Sequence, residues 1–410
     1  MKTILITAYA INPYQGSEDA MGWNFVMQAA RFQNIIAVTR KNNREHIEKF
    51  IAQNPSLKNH TDRIQFLYYD WHKAFLFWKK GPILSLIYFY FWQLSVALFL
   101  KRKKLNFDIA HHLNFHNDWT PTFLWILGKP FVWGPVGHHP KIKKIFLQEY
   151  DFSAKALDRF LWTLKNIFWH LDPFLKIAKN KAACIWYMHH GSVEKLKPKN
   201  IFFISPSIAA EEVDFTCKQS DDFVILSVGR FVALKGFDIT IKSFAKFYHQ
   251  LSSEEKLKTK LVIVGTGKYK SNVLNWIAES QLQQSVEVHE WMPREQLKNI
   301  YKQAALFLFP SHEGAGMVVA EAMSADMPVL CWNNFGPGEI THPDSKLKVN
   351  YSKNYQTGID EFAEKLHQIF SDENFLKQEQ RLAHQRFKSL LKWNVRGEQL
   401  KEMYDSVSLH

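Results

Sequence analysis

Cysteine is nearly missing from this chain: 410 residues carry three, Cys184, Cys217 and Cys331, and no CxxC pair. That excludes a disulfide framework and points to a reducing, cytoplasmic compartment. The N-terminus, MKTILITAYAINPYQGSEDAMGW, lacks a long apolar run and a small-residue cleavage site, so it reads as a first strand and not as a secretory leader. Acidic residues are scarce in one half only. Residues 1–200 hold 28 Lys+Arg against 13 Asp+Glu, whereas 201–410 hold 24 against 26. The formal charge of +13 therefore belongs to the first half, which also holds ten of the 14 Trp. A basic, Trp-rich half beside a neutral one indicates that one half faces a polyanion or an anionic membrane. No RNA- or DNA-binding module is recognisable, so nucleic acid is not expected as a partner. With 46% hydrophobic and 22% charged residues, the chain is neither disordered nor a polytopic membrane protein, and its length suits two domains of about 200 residues.

What is present is an alternation of apolar runs and helical stretches. KTILITAY (2–9), IIAVTR (35–40), RIQFLYYD (63–70), FDIAHHL (107–113) and PFVWGPVG (130–137) read as strands of a parallel α/β sheet. The pattern restarts with FVILSVGR (223–230), KLVIVGTG (260–267), VEVHEW (286–291), ALFLFPS (305–311) and PVLCW (328–332), separated by helices, the last of them over about 316–325. This is a second doubly wound domain. IFFISPSIAAEEV (201–213) is the best linker candidate. The expected bounds are 1–203 and 204–393, with 389–407 reading as two helical pieces joined near Trp393.

ILSLIYFYFWQLSVALFL (83–100) is 18 residues without a charge, flanked by Lys79-Lys80 and by Lys101 to Lys104. It sits at the lower length limit for crossing a bilayer core. Spanning would split the α/β pattern with a bilayer, so a buried or half-buried helix is the expectation. The flanking cations, with no Asp or Glu from Trp71 to Phe107, favour docking against anionic lipid.

The sharpest chemical signal is SHEGAGMVVAEAM (311–323), which follows a strand and opens a helix. A helix N-terminus offers free amides and a positive dipole end, suited to phosphate oxygens. Gly314 and Gly316 allow close approach of a ligand to the backbone. Glu313 lies before the helix and Glu321 eight residues on, roughly 12 Å along it. A diphosphate over the N-terminus would leave Glu313 near one end of a nucleotide-sugar and Glu321 near ribose hydroxyls at the other. Arg230 and Lys235, in VGRFVALKG after the second domain's first strand, could neutralise a departing diphosphate without a metal. Each feature alone also suits an ordinary capped helix or solvated loop; together they do not. His112 and His116 are four apart, but HExxH is absent and no cysteine lies nearby, so no metal site is expected. VGTG (264–267) lacks the third glycine of a dinucleotide fingerprint, which argues against a nicotinamide enzyme.

These motifs resemble glycosyltransferase family 4, the retaining nucleotide-sugar transferases of GT-B fold, over most of the chain. VGRFVALKG is similar to that family's Arg-x4-Lys-Gly loop, and EGAGMVVAE to its E-x7-E motif. NPYQGSEDAMGW (12–23), FVWGPVG (131–137) and NFGPGEI (334–340) resemble a bacterial surface-glycan branch. The resemblance implies two doubly wound Rossmann-like domains facing a central cleft: an acceptor-binding, membrane-facing one, and a donor-binding one whose final helix, 394–410, crosses back onto the first. It implies that Glu313 contacts the transferred sugar, that Arg230 and Lys235 hold the diphosphate with backbone groups of Gly316, Met317 and Val318, that Glu321 binds ribose, and that Gly16 approaches the donor phosphates. The family's His-x-His pair meets Leu113 at its second position, which leaves His112 or His116 as the acceptor-side histidine. The family's GPVG continues here as His138-His139, a departure that bears on the acceptor pocket.

The resulting expectation is a cytoplasmic enzyme, peripheral on the inner membrane face. It needs no cofactor beyond a UDP- or GDP-sugar co-substrate, and it extends a lipid-linked, lipopolysaccharide- or capsule-type glycan. Two alternatives are a GT-B nucleotide-sugar epimerase and a non-catalytic nucleotide-sugar-binding partner in a glycan assembly complex.

Overall fold

The computed structural model describes residues 1–410 except 77, 80, 116, 214–221, 352–353 and 408–410. It divides into two compact units, one formed by 1–138, 163–207 and 393–410, the other by 139–162 and 208–392. The bounds differ from those expected at 203–204 chiefly because 139–162 sides with the second unit. The reason lies in burial. Ile142, Phe146, Leu147 and Tyr150 are buried in that unit's core among Phe237, Ile241, Trp276 and Trp332. Each such burial stabilises by about 1.5–3 kcal/mol.

The first unit is a seven-stranded, all-parallel sheet in the order β3-β2-β1-β4-β5-β6-β7. Its strands are β1 Thr3–Ala8, β2 Asn34–Thr39, β3 Ile64–Tyr68, β4 Ile109–Leu113, β5 Phe131–Val136, β6 Cys184–Tyr187 and β7 Ile201–Ile204. β7 lies inside the stretch read as linker; IFFI pairs with β6 from Cys184↔Ile201 to Tyr187↔Ile204 and closes one edge of the sheet. The apolar 83–100 stretch belongs to the helix Gly81–Lys103. That helix buries Tyr88, Phe89, Trp92, Val96 and Leu100 against the sheet and exposes Leu84, Ile87, Phe91 and Leu98. It is long and apolar enough to cross a membrane, and here one face of it is core. The terminal helix Trp393–Val407 packs on the first helix, Ser17–Ala30, with Gly397 against Gln28 and Arg31.

The second unit is a six-stranded parallel sheet in the order β10-β9-β8-β11-β12-β13, from β8 Phe223–Val228, β9 Thr259–Val264, β10 Val286–His289, β11 Leu306–Phe309, β12 Val329–Asn333 and β13 Lys348–Asn350. Parallel sheets are covered on both faces, and alternate side chains divide accordingly. Ile225, Leu261, Ile263, Leu306, Leu308, Leu330 and Trp332 enter one cluster. Val224, Leu226, Val262, Val264, Phe307, Phe309, Val329 and Cys331 enter the other. In this order the connections reverse direction between β8 and β11, which makes the crevice at their carboxyl ends the natural ligand position.

Candidate functional site

Two loops leave the carboxyl ends of those adjacent strands. The first, 229–236, follows β8 and closes in a single helical turn, Ala233–Lys235, ended by Gly236 at φ +69°. Only glycine adopts this conformation freely, and a Cβ on Gly236 would lie 2.4 Å from the Pro310 carbonyl oxygen. The turn thus packs directly on the second loop, 310–316, which follows β11. His312 N–H and the Ser311 hydroxyl both donate to the Leu234 carbonyl, at 2.8 and 3.2 Å. Trp332 Nε1 donates to the Pro310 carbonyl at 2.9 Å, and Asn334 Nδ2 to that of Ser311 at 3.0 Å. A Cβ on Gly336 would lie 1.9 Å from the Glu313 carbonyl oxygen, so NFGPGEI needs glycine there to seat the loop.

The scaffold brings Lys235 and Glu313 together. Lys235 Nζ donates to both carboxylate oxygens, at 2.7 and 2.8 Å, with the side chains only 13% and 11% exposed. The ammonium also lies 4.9 Å from the centre of the Phe309 ring. Gly316 precedes the helix Met317–Ser324; the Val319 N–H turns back to the Gly316 carbonyl at 2.9 Å, whereas the amides of Met317 and Val318 have no partner within the helix. An ideal Cβ on Gly316 would sit 3.5 Å from Glu313 Oε1, which places this helix start beside the ion pair. Arg230 is exposed on the β8 loop, and its guanidinium has no ion-pair partner among the described residues. Glu321 lies on the same helix as Met317 and Val318, where Oε2 accepts from the Tyr301 hydroxyl at 3.2 Å. The second unit therefore unites a cation, a carboxylate and free amides, the elements that bind and discharge a phosphorylated leaving group.

The other expected residues belong to the first unit. Gly16 precedes the first helix with open space where a Cβ would be. His112 lies in β4, so its four-residue spacing from His116 is not helical; His116 itself is outside the described residues. His112 Nδ1 is 3.1 Å from Gln93 Oε1, and burial lowers its pKa to about 4, so the ring is neutral near pH 7. Its neighbour His111 joins Gly134 O at 2.9 Å and the Tyr404 hydroxyl at 2.7 Å, a structural tie of the terminal helix to the sheet.

Sequence reasoning missed several polar contacts. His138 Nδ1 lies 2.7 Å from Asp118 Oδ2, and its backbone N–H donates to the Ser192 hydroxyl at 3.0 Å. Thus the His138-His139 departure brings an Asp–His pair to the carboxyl end of β5. Gly314 N–H donates to His139 Nδ1 at 3.1 Å. Asp238, wholly buried, accepts from the hydroxyls of Tyr150 at 2.7 Å and Tyr355 at 2.9 Å; burial raises its pKa to about 6. The partners are 88 and 117 residues from Asp238, beyond any local pattern.

Comparison with known proteins gives the same direction. The family model described as "Glycosyl transferases group 1" matches residues 210–388, most of the second unit but not its 139–162 segment. An uncharacterized glycosyltransferase of Methanocaldococcus jannaschii is 30% identical over 158 residues, 38% of each chain. A Xenopus laevis GDP-Man:Man(3)GlcNAc(2)-PP-Dol alpha-1,2-mannosyltransferase is 26% identical over 173 residues, 40% of this chain and 34% of its own. The matches thus span under two fifths of these curated relatives. Among solved structures, Anabaena Alr3699/HepE in complex with UDP and glucose superposes with a TM-score of 0.62 at 12% identity, covering 99% of this chain and 100% of that one. At that identity the likeness establishes the fold: two doubly wound α/β units of GT-B type.

Proposed function

We propose that this chain is a retaining glycosyltransferase that moves a sugar from a UDP- or GDP-sugar to a lipid-linked, lipopolysaccharide- or capsule-type glycan at the inner membrane face. The observation that carries the reading is the Lys235–Glu313 pair beside the start of the Met317–Ser324 helix, at the reversal point of the second sheet. The names of the relatives agree with a nucleotide-sugar donor.

In this reading Lys235 and Arg230 meet the diphosphate, and amides of Gly316, Met317 and Val318 bind its oxygens. Gly16 is likewise read as a donor-phosphate contact. Glu313 turns toward hydroxyls of the transferred sugar, and Glu321 accepts from the ribose. The acceptor hydroxyl attacks the anomeric carbon on the face from which the diphosphate leaves. The bond from that carbon to the phosphate oxygen breaks, a glycosidic bond of the same configuration forms, and the proton passes to the leaving phosphate. Cations and fixed dipoles stabilise that leaving charge, so the step needs neither metal nor further cofactor. The acceptor-side histidine in this reading is His112 or His116.

For the membrane, the supporting feature is the exposed row Leu84, Ile87, Phe91 and Leu98 on one face of the Gly81–Lys103 helix, ending in exposed Lys101, Arg102, Lys103 and Lys104. An apolar row closed by cations suits a helix lying at an anionic surface.

The test is a panel of UDP- and GDP-sugars screened for thermal stabilisation, followed by donor hydrolysis and transfer to lipid extract, for wild type and Glu313→Ala. One donor should raise the melting temperature and be turned over, with the variant strongly impaired. Stabilisation without hydrolysis or transfer would favour the non-catalytic partner, and no stabilisation by any donor would refute the reading.

A further inference from the structure

We propose that Tyr301 is a positioning residue for nucleotide binding, holding the Glu321 carboxylate in the orientation that receives a ribose diol. The inference rests on the reading of Glu321 as the ribose acceptor. It goes beyond that reading by assigning a role to a residue in a different helix, Arg294–Gln303.

Tyr301 is a buried side chain on an amphipathic helix whose Leu297 and Ile300 pack against the same cluster as its ring. Its ring packs in the cluster that contains Leu226, Phe307 and Val319, with ring centres 6.3 Å from Phe307. A tyrosine in that place could be a phenylalanine if packing were all it did, since a buried hydroxyl without a partner is costly. The hydroxyl instead reaches Glu321 Oε2 at 3.2 Å. Burial first, and the Glu321 charge second, hold its pKa well above the usual range, so the phenol stays protonated and donates.

The consequence for Glu321 is geometric. A glutamate has three side-chain torsions, and ordering it on ligand binding costs entropy. An ionised carboxylate has about four acceptor positions. Tyr301 occupies one of them from a rigid, packed ring and thereby fixes the plane of the group before a ligand arrives. Binding then meets a carboxylate already aimed, which is how preorganisation raises affinity.

The experiment measures calorimetric binding of UDP and GDP, and of their 2′,3′-dideoxy analogues, to the full chain. It uses wild type, Tyr301→Phe, Glu321→Gln and the double variant. The phenylalanine keeps the ring and its packing and removes only the hydroxyl. Tyr301→Phe should weaken the ribonucleotide that binds by roughly 5- to 20-fold and leave the dideoxy analogue unchanged. It should raise the donor KM with kcat retained, and add nothing once Glu321 is already Gln. Equal weakening of ribo- and dideoxynucleotide would mark a merely structural role and overturn the proposal, as would wild-type affinity. If Glu321→Gln weakens binding and Tyr301→Phe does not, this proposal alone falls. If Glu321→Gln binds like wild type, the ribose assignment beneath it falls as well.

Discussion

Removing Lys235 separates the ion pair it makes with Glu313 from the role in chemistry proposed for it. At 2.7 Å and an effective dielectric constant near 20, the bare attraction to Glu313 is roughly 6 kcal/mol. Most of that offsets the desolvation of two groups that are nearly buried. Lys235→Met removes the attraction and leaves the Glu313 carboxylate still largely out of water, so the expected loss is about 3 kcal/mol. For a unit of about 200 residues, each kcal/mol moves the melting point by about 2–4 °C. The unit's calorimetric transition should therefore fall by roughly 6–12 °C. Donor hydrolysis should fall by about 10²–10³, the effect of deleting one group that stabilises leaving-group charge. Adding Glu313→Gln should restore most of the lost stability, because no buried charge is then stranded, and should restore none of the hydrolysis. A single variant that melts like wild type, or a double variant that regains turnover, would refute the argument.

Three further outcomes follow from other contacts. The folded Asp238 binds its proton more tightly than the unfolded one, so its contribution to stability is complete at pH values below 3.8 and lost as pH rises through about 6. The difference in unfolding free energy between wild type and Asp238→Asn should fall by about 2 kcal/mol from pH 4 to 7, and a flat difference would contradict the assignment. Gly236→Ala combines a left-handed residue, costing about 1–2 kcal/mol, with a clash against the Pro310 carbonyl. It should lower both the melting point and donor affinity, as thermal scans with and without donor will show. Sedimentation with vesicles should give binding that needs anionic lipid, weakens with salt, and drops when Lys101 to Lys104 are neutralised, each cation contributing about 1 kcal/mol near the surface. Equal binding to neutral vesicles would count against membrane docking.

Much of the architecture was legible because parallel strands buried on both faces advertise themselves as apolar runs. FVILSV, KLVIV and ALFLF became β8, β9 and β11 within a residue or two. The runs that escaped were short or ambiguous. CIWY has four residues, KVN three, and IFFI sits before a turn-rich tail that made it look like linker. Local composition also cannot reveal that 139–162 joins the second unit, because its anchors are tertiary: Tyr150 meets Asp238, and Phe146 lies among His312, Trp332 and Tyr351.

The site shows the same division, and its cause can be stated. Lys235 and Glu313 are 78 residues apart. The sequence offers no direct link between them. What joins them is strand adjacency: β8 and β11 pair in parallel, Ile225 with Leu306 and Leu226 with Phe307, so the loops that follow must emerge side by side. Once the doubly wound order is inferred, a cation soon after one strand and a carboxylate soon after the next are bound to converge. Tyr301 and His139 obey no such rule. Tyr301 precedes β11 on a helix, and His139 enters from an excursion, so their distances to Glu321 and Gly314 depend on side-chain packing that no strand order dictates. Topology thus made the charge-bearing pair readable, whereas the contacts that Tyr301 and His139 make with Glu321 and Gly314 became visible only with coordinates.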